Sequence, residues 1–191
     1  MKSSVLISVK ILLVFTVLLG FVYPLVLTGI DMVLFPGKAK GSLMVENGTV
    51  IGSSLIGQNF DSSIYFWSRP SAIGYNPLPS SGSNFGPTSA KLKEQMIERK
   101  QSFIAANGLD AGATVPGDML FASASGLDPH ISPASALLQI NRIVKARGWN
   151  PSMENEVTGL VRRMTEQPQF GLFGNERVNV LLLNIELDKL K

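Results

Sequence analysis

The sequence predicts an α+β protein in which a single N-terminal transmembrane helix precedes one soluble extracytoplasmic domain with a β-hairpin and several helices. Three observations lead to this fold class. An uncharged apolar run of 20 residues lies near the N-terminus, an Asn-Gly pair separates two short apolar runs, and helix start and stop signals recur through the second half of the chain. These features divide the 191 residues into an anchor (1–34), a linker (35–42) and a soluble domain (43–191).

The anchor is predicted from residues 11–30, which contain no charged side chain and lie between Lys10 and Asp31. A helix of about 20 residues, rising 1.5 Å per residue, crosses a hydrocarbon core about 30 Å thick. A cleaved signal peptide has a shorter apolar stretch that ends in a small-residue cleavage site, and this sequence has neither feature. We therefore expect a retained span, with a kink at Pro24 because proline interrupts the hydrogen bonds of a helix.

Basic residues flank the span on both sides, with Lys2 and Lys10 before it and Lys38 and Lys40 after it. Topology follows the balance of lysine and arginine across a span, and a short basic leader usually stays in the cytoplasm. We expect a cytoplasmic N-terminus and a domain on the opposite side of the membrane.

Two different segments follow the linker. Asn47-Gly48 lies between the apolar runs 43–45 and 49–51 and predicts a β-hairpin, because both turn positions need positive φ. Residues 57–87 are rich in Gly, Pro, Ser and Asn but also contain six aromatic residues, so we expect an ordered, irregular segment rather than a flexible linker. The six are Phe60, Tyr65, Phe66, Trp67, Tyr75 and Phe85.

The second half of the chain has the pattern of helices. Polar caps, first-turn prolines and terminal glycines predict three of them, and apolar residues at helical spacing predict a fourth near the C-terminus. A strand that begins at Val178 is the competing interpretation of that last segment, and His130 is expected in the loop before the second helix. The predicted helices run from Thr88 to about Asn107, from Ser132 to about Arg147, from Asn150 to about Gln167, and from Val180 to Leu190.

Composition argues against several kinds of function. A net charge of +3 with scattered Lys and Arg argues against nucleic-acid binding. The chain has no cysteine and a single histidine, so we expect no metal site, and the absence of a phosphate-binding loop motif argues against direct phosphoryl chemistry. We expect no catalytic residue and no tightly bound cofactor. The alternative from another class is an anchored serine hydrolase that uses Ser125 or Ser83 with His130.

Several stretches resemble the C subunit of the Kdp potassium-transporting ATPase family. They follow the family's order and spacing over nearly the whole chain. One of them, Ser81-Gly82-Ser83-Asn84, departs from a family segment that more often reads Ser-Gly-Gly-Ser-Asn. The similar stretches are residues 52–60, 65–72, 75–77, 81–84 and 123–133, then Gln139, Arg142 and residues 146–148, and finally residues 178–188.

This resemblance implies an accessory subunit of an ATP-driven potassium uptake pump in the bacterial plasma membrane. Its partners would be a channel-like potassium-binding subunit, a P-type ATPase subunit and a small fourth subunit. The C subunit is needed for assembly, and it has been proposed as a catalytic chaperone that raises the ATP affinity of the ATPase subunit. ATP would then act through that subunit. If the domain lay inside the cell, the nucleotide-contact candidate carried over from the family would be Gln139, with Arg142 beside it on the same helix face.

Each candidate also has a structural interpretation. Gln139 and Arg142 fit a solvated helix face or a partner contact better than an ATP site. If the domain lies outside the cell, coupling to cytoplasmic ATP has to pass through the membrane helices. The partner-interface candidates are Tyr65, Phe66, Trp67, Arg69 and Asp128. The three aromatic residues form either local core or a docking patch. Arg69 and Asp128 form either an internal pair or an interface. For the chain as a whole, an anchored adaptor with other partners is a further alternative.

Overall fold

The computed structural model describes residues 2–46 and 48–190, and the chain divides into two compact units, residues 1–51 and residues 52–191. The first unit contains the predicted anchor, the predicted linker and most of the hairpin. The second unit is a mixed helix and sheet domain.

The first unit begins with one long apolar helix, as the sequence predicts. It comprises α1 (Lys2–Val17), a π-helical turn (Leu18–Val22) and α2 (Tyr23–Leu34). Residues Ser3–Leu34 are long and apolar enough to cross a membrane by length and composition. The helix therefore extends beyond the uncharged run at both ends.

A π-helical turn lies just before Pro24, the residue at which the sequence predicts a kink. The Tyr23 amide donates to the carbonyl of Leu18, five residues earlier, instead of to the residue four earlier. Pro24 has no amide hydrogen, and its ring conflicts with the carbonyl four residues before it. A wider turn just before the proline accommodates this conflict, so the helix continues through Pro24.

The hairpin prediction is confirmed by a two-stranded sheet of β1 (Leu43–Glu46) and β2 (Thr49–Ser53). Gly48 has a φ of 77°, as the predicted turn requires, while Asn47 lies outside the described residues. The predicted linker is not wholly irregular, because a short helix, α3 (Pro36–Ala39), forms inside it.

The second unit combines several helices with a small antiparallel sheet. In the sheet β5 lies between β3 and β4, so that His130 pairs with Asn179 and Thr165 pairs with Val178. The elements are α4 (Ala90–Asn107), α5 (Gly117–Leu120), β3 (His130–Ile131), α6 (Pro133–Leu137), α7 (Ile140–Ala146), α8 (Met153–Met164), β4 (Thr165–Glu166), β5 (Arg177–Asn179) and α9 (Val180–Leu187).

The predicted helix limits need small corrections. The cap of α4 is Ser89 and not Thr88, since the Ser89 hydroxyl accepts from the Leu92 amide at 3.3 Å. The predicted stop is confirmed, because Gly108 is left-handed with a φ of 61°. The third predicted helix ends earlier, at Met164, because the next two residues pair with β5.

The helix that begins after Ser132 is predicted as one element but is two, α6 and α7. The Gln139 side-chain amide donates to the carbonyl of Ser135 at 3.2 Å. The Gln139 backbone amide donates instead to the carbonyl of Ala136, three residues earlier, at 3.0 Å. The side chain thus occupies the carbonyl that the next turn of helix would use, and the helix is interrupted there.

The competing interpretations of the C-terminal segment are both correct over different residues. Arg177–Asn179 forms a strand, and the Asn179 side chain then caps α9 by accepting from the Leu182 amide at 3.2 Å. His130, expected in a loop, lies in β3 because it pairs with Asn179 across the sheet.

The core of the second unit forms between the helices and one face of the small sheet. The irregular segment 57–87 has no helix or strand, as predicted, yet its Phe66 is among the fully buried core residues. Other members of the core are Phe103, Ile131, Ile143, Val157, Val161, Val178, Leu183 and Leu187.

Candidate functional site

The two nucleotide-contact candidates lie inside the domain. Gln139 is 0% exposed and Arg142 is 7% exposed. The expectation that they form a solvated helix face or a partner contact is therefore wrong. Their face of α6 and α7 is covered by the irregular segment at residues 62–67, which the periodicity of the helix alone cannot reveal.

Every polar atom of the Gln139 side chain has a partner within the domain. Its Oε1 accepts from the Trp67 amide at 2.7 Å and from Nη2 of Arg142 at 2.8 Å. Its Nε2 donates to the carbonyls of Ser135 at 3.2 Å and Trp67 at 3.4 Å. A buried amide with all its groups paired stabilises the segment that it contacts.

Arg142 holds the same segment through its guanidinium group. Nη1 donates to the Ser63 carbonyl at 2.5 Å, Nη2 donates to the Tyr65 carbonyl at 3.0 Å, and Nε donates to Oδ1 of Asn107 at 2.9 Å. The guanidinium carbon also lies over the Trp67 ring, 4.2 Å from its centroid, in a cation–π contact. Burial lowers the pKa of Arg142 to about 10, and the group is still protonated at neutral pH because this value lies well above 7.

Two further side chains complete this arrangement. The amide of Phe66 donates to Oδ1 of Asn184 at 2.8 Å, and Nδ2 of Asn184 donates back to the Phe66 carbonyl at 3.0 Å. Nε of Arg147 donates to the Ile64 carbonyl at 2.9 Å. We call the four side chains that hold segment 62–67 the polar clamp. Its members are Gln139, Arg142, Arg147 and Asn184.

The aromatic interface candidates belong to the clamped segment. Phe66 is 0% exposed, so its ring cannot contact a partner in this structure, and its assignment as an interface residue is corrected. Tyr65 and Trp67 are partly buried and pack against the core. The Tyr65 hydroxyl donates to Asp188 at 3.0 Å. The local-core interpretation therefore holds for Phe66, while Tyr65 and Trp67 keep an exposed edge.

Arg69 and Asp128 form the internal pair that one interpretation predicts. Nη1 of Arg69 lies 2.7 Å from Oδ2 of Asp128, and both side chains are about one quarter exposed, at 25% and 29%. The other carboxylate oxygen accepts from the His130 amide at 3.0 Å and lies 3.3 Å from Nδ1 of the same residue. The pair joins the irregular segment to the loop before β3.

The carboxylate of Asp128 is strongly stabilised in its charged form. Burial on its own would raise the pKa of Asp128, but hydrogen bonds from His130 and Arg69, together with the charge of Arg69, outweigh it and lower the pKa to about 2. Nearby, the Tyr75 hydroxyl donates to the Arg69 carbonyl, and burial raises the pKa of Tyr75.

Close backbone contacts also join these loops. The Gly57 amide donates to the Leu127 carbonyl at 2.7 Å, and a Cβ atom at Gly57 would lie only 2.6 Å from the carbonyl oxygen of Asp128. Glycine at position 57 lets the backbone of this segment approach the backbone of residues 127–128 within hydrogen-bonding distance.

The hydrolase interpretation gains no support from the geometry. Within residues 2–46 and 48–190, no hydrogen bond or ion pair joins His130 to Ser125 or Ser83. The Ser125 hydroxyl accepts from the Leu127 amide at 3.1 Å, which is a local turn contact. In the same described residues, no group of three or more His, Cys, Asp or Glu side chains could hold a metal ion.

One member of the clamp and two residues that support the helices around it were not identified as site residues from the sequence. Asn184 lies in an apolar helical run, and a lone amide among leucines is the signal that could have marked it as a buried hydrogen-bonding group. Asn107 was interpreted only as part of a helix stop, yet its Oδ1 accepts from Arg142. Asp118 accepts from the Ser132 amide at 2.6 Å and from the Ser135 hydroxyl at 2.8 Å, which ties α5 to the start of α6.

Comparisons with known proteins give the same family as the sequence motifs. The family model described as "K+-transporting ATPase, c chain" matches residues 5–189. The Potassium-transporting ATPase KdpC subunit of Geobacter metallireducens is 48% identical over 187 residues and covers 96% of both chains. The subunits of the same name from Geotalea uraniireducens and Dechloromonas aromatica are 48% and 47% identical, with 96% and 98% of each chain covered. The chain therefore belongs to the C-chain family of K+-transporting ATPases.

Proposed function

We propose that the chain is a non-catalytic accessory subunit of an ATP-driven potassium uptake pump, in which it stabilises the assembled complex. Its partners are a channel-like potassium-binding subunit, a P-type ATPase subunit and a small fourth subunit. The relatives that it matches over nearly their whole length are subunits of potassium-transporting ATPases by name, which supports this role. The chain itself carries no tightly bound cofactor.

The polar clamp is the observation that carries the proposal. The family's candidate nucleotide contacts, Gln139 and Arg142, are buried and engaged with backbone groups of Ser63, Tyr65 and Trp67. A nucleotide could reach them only if the clamp opened and left several buried backbone groups unpaired, which costs about 1–3 kcal/mol for each group. The arrangement suits a rigid scaffold better than an exchangeable ligand site.

In this proposal the N-terminus is cytoplasmic, the helix crosses the plasma membrane once, and the domain is extracytoplasmic. ATP is a cytoplasmic substrate, so any increase in the ATP affinity of the ATPase subunit passes through the membrane helices as a shift between conformations of the pump. The ATP effect is then a consequence of assembly and requires no contact between this chain and the nucleotide.

The exposed edges of Tyr65, Trp67, Arg69 and Asp128 are the proposed contact with a neighbouring subunit. The clamp and the Arg69–Asp128 pair fix the backbone beneath these edges. A surface that is already ordered loses little conformational entropy when it binds, which favours a stable interface.

The proposal is tested by purification of the tagged chain in mild detergent from membranes of potassium-limited cells. We expect a channel-like subunit and a P-type ATPase to co-purify, with potassium-stimulated ATP hydrolysis in the eluate. An untagged chain in the same cells is the control. Recovery of the chain alone, while both partners are detected in the same membranes, would overturn the proposal.

A further inference from the structure

The loop between β4 and β5 exposes three large apolar side chains. Phe170 is 90% exposed, Leu172 is 81% exposed and Phe173 is 68% exposed. They lie within five residues of one another along the chain, between Pro168 and Gly174. We call these three side chains the apolar tip. Single exposed apolar residues are ordinary, but a cluster of this kind marks a surface that contacts something apolar.

The backbone of the loop is ordered by its own hydrogen bonds. The amides and carbonyls of Gln169 and Phe173 form two bonds, both of 3.0 Å. Phe170 has a φ of 55°, a left-handed conformation that is uncommon for a residue other than glycine. The loop therefore holds a less favourable backbone conformation while its apolar side chains remain exposed to water.

The tip carries no charge. Residues 167–175 contain no Lys, Arg, Asp or Glu. At its base, Glu166 and Arg177 pair with each other, with Nε of Arg177 2.9 Å from a carboxylate oxygen of Glu166. Glu176 lies beyond the uncharged stretch. An uncharged apolar tip matches an uncharged medium, since no charge within residues 167–175 has to lose its water.

The segment that joins the membrane-length helix to the second unit is short enough to keep that unit near the lipid surface. That unit begins at Gly52, and the membrane-length helix ends at Leu34. The 17 residues between them span at most about 60 Å even when fully extended. Such a tether holds the domain at a high effective concentration near the bilayer. Even a weak apolar contact with lipid would then be formed for much of the time.

We propose that the apolar tip inserts into the headgroup–acyl boundary of the membrane in which the chain is anchored. A lipid surface accepts a projecting group of two phenylalanines and one leucine without a preformed pocket, and apolar burial supplies the affinity. The inference does not depend on the proposed pump function, because it needs only the anchor and the loop.

The absence of cysteine in the chain allows a specific test. Leu172→Cys carries a nitroxide label, and Leu78→Cys is the matched control because Leu78 is 82% exposed and lies outside the loop. The full-length protein is reconstituted in vesicles of phosphatidylethanolamine and phosphatidylglycerol. The accessibility of each label to oxygen, which concentrates in lipid, is compared with its accessibility to a water-soluble nickel chelate.

We expect the ratio of oxygen to nickel accessibility to be several-fold higher at position 172 than at position 78. Equal ratios at the two positions would show that the tip lies in water and would overturn the proposal. Exclusion of both reagents at position 172 would indicate burial against protein, and that result would also overturn it.

A second measurement removes the influence of a label within the tip. The label is placed at Asn175→Cys, next to the tip, with and without the double substitution Phe170→Ser and Phe173→Ser. Loss of the high oxygen-to-nickel ratio in the serine variant is expected. An unchanged ratio would mean that the apolar side chains do not hold the loop at the membrane.

Discussion

The side-chain amide of Asn184 makes two hydrogen bonds to the backbone of Phe66, one to its amide and one to its carbonyl, at 2.8 and 3.0 Å. A neighbouring β-strand satisfies a residue of extended chain in the same way. Here one side chain on α9 takes that role for an irregular segment 118 residues away in the sequence. The Phe66 ring can therefore enter the core although its backbone belongs to no strand.

Replacement Asn184→Ala is expected to lower the free energy of unfolding by about 2–4 kcal/mol, because it leaves both backbone groups of Phe66 buried and unpaired. Denaturant unfolding of the full-length protein in detergent, followed by tryptophan fluorescence, measures this loss. Both tryptophans, Trp67 and Trp149, lie in the second unit. Asn175→Ala is the control, since Asn175 is exposed, and a change within about 0.5 kcal/mol is expected there.

Replacement Arg142→Lys is expected to destabilise the domain by about 3 kcal/mol, although the charge is retained. A lysine cannot reach Asn107 and the carbonyls of Ser63 and Tyr65 together, since it lacks the planar fork of donors. The same unfolding measurement applies. Arg162→Lys, at an exposed position of α8, should change the stability by less than about 0.5 kcal/mol. Equal effects of the two substitutions would show that the guanidinium contacts are energetically unimportant.

Asp128 should give the domain a pH-dependent stability. Its pKa in the folded protein is about 2, below the ordinary value of 3.8. A carboxyl with a lowered folded pKa adds stability above its unfolded pKa, and this stability is lost as the pH falls through the folded value. The difference in unfolding free energy between the native protein and Asp128→Asn should be constant from pH 7 to about 4 and shrink between about 4 and 2. A constant difference down to pH 2 would contradict the pairing with Arg69 and His130.

Replacement Gly57→Ala is expected to destabilise the domain by about 1–3 kcal/mol, because the new Cβ would lie 2.6 Å from the Asp128 carbonyl oxygen. The backbone of one loop would have to move, which would stretch the hydrogen bond from Gly57 to Leu127. Gly86→Ala is the matched control, since a Cβ there meets nothing within 4 Å. Thermal unfolding of the two variants compares the effects, and equal melting temperatures would show that the loops tolerate separation.

The elements that depend on local rules were predicted well. The apolar run that forms α1 and α2, the glycine at the hairpin turn and the serine cap of α6 each follow from short-range chemistry. One predicted helix proved to be two because a side chain competed with the backbone, and another ended early because its last residues pair with β5. Gln139 is the clearest case, because its amide occupies the Ser135 carbonyl and separates α6 from α7.

The candidate residues Gln139 and Arg142 came from the resemblance to the family, and their environment was not predicted. A periodicity argument placed Gln139 and Arg142 on the polar face of a helix, and polar faces are usually solvated. Their burial depends on residues 62–67, which have no regular pattern and lie more than 70 positions away. Long-range side-chain to backbone bonds of this kind leave no periodic signal in the sequence. The Arg69–Asp128 pair was one of two interpretations that the sequence left open, and the ion pair between these side chains confirms that one without testing an interface role.

We propose that the polar clamp affects the pump through the fold of this chain and not through contact with ATP. The most direct test compares Gln139→Ala with Asn184→Ala in the assembled, potassium-stimulated pump, since both substitutions weaken the clamp but only Gln139 is a candidate nucleotide contact. The measured quantity is the KM for ATP, at equal amounts of intact complex. We expect the same KM for both variants within experimental error. A KM raised tenfold by Gln139→Ala and unchanged by Asn184→Ala would contradict it.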